Sequence, residues 1–396
     1  MQTRETLEKI MRFYRNSSVF GITLLFFIIS AAGSVGAGPI ILGQSCAMSG
    51  PSRNIGLETR AGLLAAFSKY NHEGGFHGRP IRLLSLDDGY EPDRAVKNAR
   101  HLIDNKRVFL LIGGAGTPTA RAVMPIAKHH HIPFFAPLTG AEFLRNLPVR
   151  QVVNLRASYN QEMEELAAYL IGQQKFSRIA CFYQNDFFGI GGLEGLEKAL
   201  RRRGVKLTAK GSYERNTVAV MGAVQDIFKA EPEAVVMIGD YSACAEFIKL
   251  GKNKYGGKNG SLFCCLSSVG AENLRDALGS YGENVIVSQV VPLPGDLSVP
   301  LVREYVQAMK KYQRHAPISF TTLEGYMTGK LFVEILARVE GELTREKFIQ
   351  TILKTGSFDL GGVIVQYGEN DNQGLDEVFL TVIYPEIKKL PAAGQP

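Results

Sequence analysis

From Pro39 onward, short apolar runs alternate with longer stretches in which apolar residues recur every three or four positions. The first pattern reads as a strand buried on both faces and the second as an amphipathic helix. Pro39 to Gly43 predicts a first strand. A loop containing Gly50 and Pro51 follows, then a helix to about Asn71 with Leu57, Ala61, Leu64 and Ala65 on one face. His72-Glu73-Gly74-Gly75 stops that helix, as glycines past a helix end do. Strands are expected at 81–86, 108–112 and 132–136, with helices at 93–104 and from the glycines of 113–116 to about His130. The rhythm restarts near Ser158, where Met163, Leu166, Ala167, Leu170 and Ile171 share a helix face. Strands are then expected at 179–183, 206–212, 234–238 and 262–266, with helices at 189–203, 219–230 and 242–252.

Near Val285 to Pro294 the pattern changes to one long extended segment, VIVSQVVPLP. Helical patterns over 301–312, 322–339 and 345–353 follow, and strand-like pieces at 363–366 and 378–383 finish the chain. Two βαβ sets and a return to helices predict an α/β fold of two Rossmann-like lobes. Each lobe would hold a parallel sheet covered on both faces, with several crossings between them. A length of 396 residues suits two such lobes.

Composition narrows the function. The net charge of +7 shows no basic stripe interleaved with aromatics, so no nucleic-acid partner is expected. Arg201-Arg202-Arg203 ends a helical run, where cations suit the helix dipole. At the N-terminus Arg4, Lys9, Arg12 and Arg15 outweigh Glu5 and Glu8. An apolar run, Val19 to Ile29, comes next, and then small residues with Val35 and Ala37 placed for a cut after Ala37. That is the order of a cleavable signal peptide over 1–37, and it predicts a periplasmic protein. The alternative is a membrane anchor formed by 19–29. Gly43-Gln44-Ser45-Cys46 is a poor lipid-attachment motif. The five cysteines have no CxxC spacing and read as buried packing, with Cys264 and Cys265 on opposite faces of a strand. His129-His130-His131 cannot share a helix face, so no metal is expected. The GxGxxG pattern is broken by Thr119 and Glu194, and GxxxxGK[ST], GxSxG and HExxH are absent. With no nucleophile–base pair in view, the expectation is a non-catalytic chain without a cofactor.

One segment carries binding chemistry by itself. Gly113-Gly114-Ala115-Gly116 is followed by Thr117-Pro118, which places a capping residue and then a proline at a helix start. Unpaired N–H groups and the helix dipole make Gly116 and Thr117 a cradle for a carboxylate.

ILGQSCAMSGPSRNIGLETRAG at 41–62, NHEGGFHGRPIRLLSLDDGYEPDRAV at 71–96, LLIGGAGTPTARAVMPIAKHHHIPFFAPLTGAEFLR at 110–145 and FYQNDFFGIGGLEGLEKAL at 182–200 together carry a resemblance. The ordered set resembles the leucine/isoleucine/valine-binding type of periplasmic binding protein, class I, which serves ABC transporters. The resemblance implies three hinge crossings and a ligand held in the interlobe cleft, then delivered to a membrane permease. On that plan 38–156 plus about 290–358 form lobe 1, and 157–289 plus about 359–390 form lobe 2.

It also implies site residues. Thr117 matches the family's hydroxyl for the ligand carboxylate. A second hydroxyl is expected next to it, where strict spacing gives Gly140 and Thr139 stands one residue earlier. Phe188 fits the aromatic before a glycine that covers the ligand, with Asp186 as an alternative helix cap. Tyr241 fits a ligand-facing tyrosine in the 239–242 loop, and Ser49 or Arg53 would rim the cleft. Amino-acid binders of this family hold the ligand ammonium with an acidic residue where this chain has Ser267 and Ser268. Asp240 or Glu324 would have to replace it, or the ligand lacks an ammonium group. The other roles weighed are a membrane-anchored ligand sensor and an exported α/β enzyme.

Overall fold

The computed structural model describes residues 38–391 apart from 146, 149 and 256–259, so the expected signal peptide and the alternative 19–29 anchor lie outside the described residues. The first sheet is built from β1 (Ile40–Cys46), β2 (Ile81–Asp87), β3 (Leu111–Ile112), β4 (Phe134–Phe135) and β5 (Val152–Val153). Its order is β2-β1-β3-β4-β5 and every pairing is parallel. Helices α1 (Arg53–His72), α2 (Pro92–Arg100) and α3 (Thr117–His129) connect the strands. β3 and β4 are much shorter than the apolar pattern predicts. Pro133 has no N–H to donate and only its carbonyl pairs, with Leu111 N–H at 3.2 Å, so the ladder starts at Phe134.

The second sheet holds β6 (Ile179–Gln184), β7 (Ala209–Tyr213), β8 (Ala234–Ile238), β9 (Leu262–Cys265) and β10 (Val285–Gln289), mutually parallel. β8 is AVVMI with every residue buried, as a central strand covered on both faces requires. Helices α4 (Tyr159–Ala167), α5 (Phe187–Arg202), α6 (Met221–Phe228), α7 (Tyr241–Tyr255) and α8 (Ala271–Leu278) flank it. Two late strands, β13 (Phe379–Val382) and β14 (Lys388–Lys389), add antiparallel to the edge at β10. Cys264 and Cys265 enter different core clusters on the two faces of β9, and all five cysteines are buried and free.

Between β10 and β13 the chain returns to the first sheet as α9 (Pro300–Tyr312), α10 (Phe320–Leu336) and α11 (Arg345–Thr355), followed by the hairpin β11–β12 (Ser357–Asp359, Ile364–Gln366). α10 lies hard against α1. A Cβ on Gly62 would stand 2.1 Å from Thr322 O, and one on Gly325 2.4 Å from Thr59 O, so both positions must lack a side chain. The chain passes between the sheets at 154–158, 290–299 and 367–378. The first and third passages pair with each other, through Asn154 N–H to Asn372 O at 2.8 Å and Gly374 N–H to Asn154 O at 2.9 Å. The hydrophobic periodicity did not announce α8 or β5. The extended VIVSQ is β10.

Candidate functional site

The carboxyl ends of β1, β3 and β4 face those of β6 and β8, the side on which open α/β sheets present their loops. Between them lies a cleft. On the first-lobe side it begins at α3. Gly116, with φ of 103°, occupies the cap position and Thr117 is the first helical residue. This corrects the expectation that Thr117 caps the helix. Gly116 takes the left-handed backbone region that threonine disfavours. The Thr117 hydroxyl is thereby released from capping. It lies 2.7 Å from the Thr139 hydroxyl and 3.2 Å from the Tyr159 hydroxyl, and the last two are themselves 3.2 Å apart. This triangle joins the start of α3, the loop after β4 and the start of α4.

Thr139 is fully buried behind Thr117. Gly140 contributes space: a Cβ there would stand 2.4 Å from the Tyr159 ring. Thr117, Gly116, Tyr159 and Phe188 line the cleft, and the Tyr159 and Phe188 rings lie 5.5 Å apart. Asp186 caps α5 through its bond from Phe188 N–H at 2.9 Å.

Sequence reasoning missed Tyr90, Tyr159, Gln184 and Ser52 as cleft-lining residues. The signal for Tyr159 is the Ser158–Gln161 capping box, which fixes Tyr159 at the first turn of α4. Burial, with Asp186 nearby, pushes the Tyr90 hydroxyl well above its ordinary range. Its nearest polar partner is Gln184 Nε2 at 3.4 Å.

Asp240 is the acidic group of the cleft. One carboxylate oxygen accepts from Ser242 N–H at 3.0 Å and from the Ser242 hydroxyl at 2.7 Å. The other is buried with no hydrogen-bond partner among the described residues, and the same is true of the Ser268 hydroxyl on the cleft wall. Tyr241 departs from expectation. It is the first residue of α7, packs half-buried against the core and does not line the cleft, because the strand ends at Ile238 and the helix begins at once. Ser49 and Arg53 are also held away, the first by Asp87 at 2.6 Å and the second by Gly50 O at 3.4 Å.

Ser267 and Glu324 line a second compartment at the hinge end that shares Ile55, Leu138 and Ser268 with the first. Arg156, from the first crossing, lines it too. Its Nη2 donates to the Ser267 hydroxyl, its Nε is 3.4 Å from Glu324 Oε1 and its Nη2 is 4.0 Å from Glu162 Oε1. Burial raises the Glu324 carboxyl above its usual range although Arg156 pulls it down.

The two lobes are closed on each other. At one edge Arg215 reaches Glu91 at 2.9 Å, Asn216 reaches Gly89 O at 3.1 Å, and the Arg121 guanidinium sits 4.1 Å from the centre of the Phe187 ring. At the other edge Asn273 of α8 donates to Glu58 of α1 at 2.7 Å, and Phe320 N–H donates to Glu272 at 3.1 Å. Glu58 and Glu272 therefore face the same seam from opposite lobes, with Asp276 adding a like charge and Arg275 an opposite one. Burial raises both carboxyls, Glu272 to about 7.

The sign follows from linkage. A carboxyl whose folded value is raised contributes stability fully present below its ordinary 4.5 and lost as pH rises through about 7. Glu272→Gln is expected to flatten the fall in melting temperature between pH 4.5 and 7.5, an effect of up to about 3 kcal/mol. A variant melting curve that keeps the wild-type slope would contradict this assignment.

A family model for periplasmic binding proteins matches residues 39–384. The Leu/Ile/Val-binding protein homolog 7 of Brucella abortus (strain 2308) is 24% identical over 333 residues, covering 81% of this chain and 82% of that protein. A solved possible leucine/isoleucine/valine-binding protein from Rhodopirellula baltica SH 1 is 34% identical with a TM-score of 0.86, covering 91% of this chain and 98% of that one. A solute-binding protein from R. palustris, solved in complex with benzoate, shares the fold at 18% identity with a TM-score of 0.79, covering 89% of this chain and 96% of that one.

Proposed function

This chain belongs to the class I periplasmic binding proteins of the leucine/isoleucine/valine type, and from that membership we propose that it is an exported solute binder that captures an amino acid or similar small carboxylate in the interlobe cleft and hands it to the permease of an ABC transporter. The protein acts in the periplasm and performs no catalysis. Its lobes divide as 38–156 plus about 290–358 and 157–289 plus about 359–390, and the cleft works by hinge closure.

The observation that carries this reading is the pairing of two unlike groups in one cavity. Thr117 and its hydroxyl partners stand at the start of α3, where the helix dipole favours an anion. Across the cleft Asp240 presents a buried carboxylate oxygen without a partner. A carboxylate and an ammonium on one small molecule complement both. Asp240 thus supplies the charge that Ser267 and Ser268 do not.

A thermal-shift panel of α-amino acids and plain carboxylates tests the reading on residues 38–396. Amino acids should raise the melting temperature, and benzoate, which leaves Asp240 unpartnered, should not. Thr117→Val should weaken the best amino acid by about tenfold, the worth of one hydrogen bond to a charged group. No shift with any member of the panel would overturn the ligand class.

A further inference from the structure

We propose that the hinge-end compartment is a subsite for the far end of the ligand, and that it selects a neutral group able both to accept and to donate hydrogen bonds, a side-chain carboxamide, over an aliphatic one. This rests on the amino-acid reading of the main cleft and goes beyond it by naming the side chain.

The compartment is lined by Arg156, Ser267, Ser268, Gln289, Thr321 and Glu324 together with the apolar Val290, Val291 and Phe320, and apolar walls at Ile55 and Leu138 join it to the cleft that holds Thr117 and Asp240. A pocket shaped for leucine or valine would be lined by apolar groups throughout. Here Arg156 is 1% exposed, yet its Nε and Nη1 have no hydrogen-bond partner among the described residues. The Ser268 hydroxyl is likewise unpartnered on the wall between the compartments. A buried donor without an acceptor is costly, and an aliphatic tail would leave all three in that state.

Charge decides among the polar tails. Arg156 and Arg145 face Glu162 and Glu324, two buried charges of each sign, with the exposed Glu142 also near Arg145. Arg145 is committed elsewhere: it donates to the carbonyls of Thr139, Ala141 and Arg156 at 2.9 to 3.0 Å and to Gln373 at 2.9 Å. Glu162 Oε2 is held by Ser267 N–H at 2.8 Å and the Ser288 hydroxyl at 2.6 Å. A carboxylate tail would add an unbalanced negative charge to this buried set, and an ammonium tail an unbalanced positive one. A carboxamide adds none. Its carbonyl oxygen accepts from Arg156, and its amino group donates to Glu324.

Calorimetric titration with L-asparagine, L-glutamine, L-leucine and L-glutamate tests this, leucine being close in shape to asparagine. One of the two carboxamides should bind at least tenfold tighter than leucine and glutamate. Glu324→Leu should narrow that gap by weakening the carboxamide and strengthening leucine. Glu324→Gln, which keeps the shape, guards against a folding defect, and each variant's ligand-free melting temperature is recorded. Leucine binding as tightly as both carboxamides, while still weakened by Asp240→Asn, would overturn the subsite and leave the amino-acid reading standing. Absence of binding by all four, with no shift from the wider panel, would overturn both.

Discussion

Asp240→Asn is expected to weaken amino-acid binding by roughly thirtyfold or more without lowering the melting temperature of the ligand-free protein. The variant keeps the oxygen that caps α7 through Ser242, so the local structure is preserved. What it removes is the negative charge on an oxygen that has no partner among the described residues. Losing one member of a buried hydrogen-bonded charge pair costs about 2–5 kcal/mol, or roughly thirtyfold to several thousandfold in Kd. In the ligand-free protein the same charge is a desolvation cost, so its removal is neutral or stabilising. Calorimetric titration of wild type and variant, with an amino acid and with its des-amino analogue, separates the effects. The amino acid should lose affinity and the analogue should not. Equal affinity of wild type and variant for the amino acid would place the ammonium elsewhere.

The α/β rhythm and the two lobes were legible because buried parallel strands and amphipathic helices have different apolar periods, whereas the chain's return to the first lobe was implied by the resemblance alone. Helix ends were legible to within a few residues and Asp186 was legible as a cap, but the cap of α3 was not. Thr117 is a better capping residue than glycine by composition, yet the turn after β3 needs a positive φ and Gly116 supplies it. Thr117 thus turns inward to Thr139 and Tyr159. The register between Thr139 and Gly140 was open from spacing. Tyr159 resolves the geometry by filling the room that Gly140 leaves and bonding Thr139.

Tyr241 is not among the residues that line the cleft. It is the first residue of α7 rather than a loop residue, and periodicity is least reliable at element ends. Ser267 and Glu324 were expected at one site with Thr117, but they line its neighbour. Nothing local in the sequence tells that a residue from the first crossing, Arg156, lines that neighbour with them. That requires knowing which face of each crossing turns inward.

Arg156→Met is expected to destabilise the folded chain by about 3–5 kcal/mol, the cost of leaving buried charge uncompensated. Arg156 is 1% exposed, and Glu162 and Glu324 approach it from α4 and α10, elements on opposite sides of the hinge. Methionine fills much of the volume, so the loss reports charge rather than a cavity. Glu162 is the more exposed to this change in energetic terms, because it is fully buried and its Oε1 already lacks a hydrogen bond. Glu324 can respond by holding a proton, since burial already raises its carboxyl. Adding Glu162→Gln to Arg156→Met should therefore restore more stability than adding Glu324→Gln. Urea unfolding midpoints of the single and double variants measure the difference. A single variant within about 1 kcal/mol of wild type, the scale of an exposed pair, would mean that the guanidinium does not hold the hinge carboxylates. Recovery by Glu324→Gln alone would mean that the hinge draws its charge balance from α10 rather than α4.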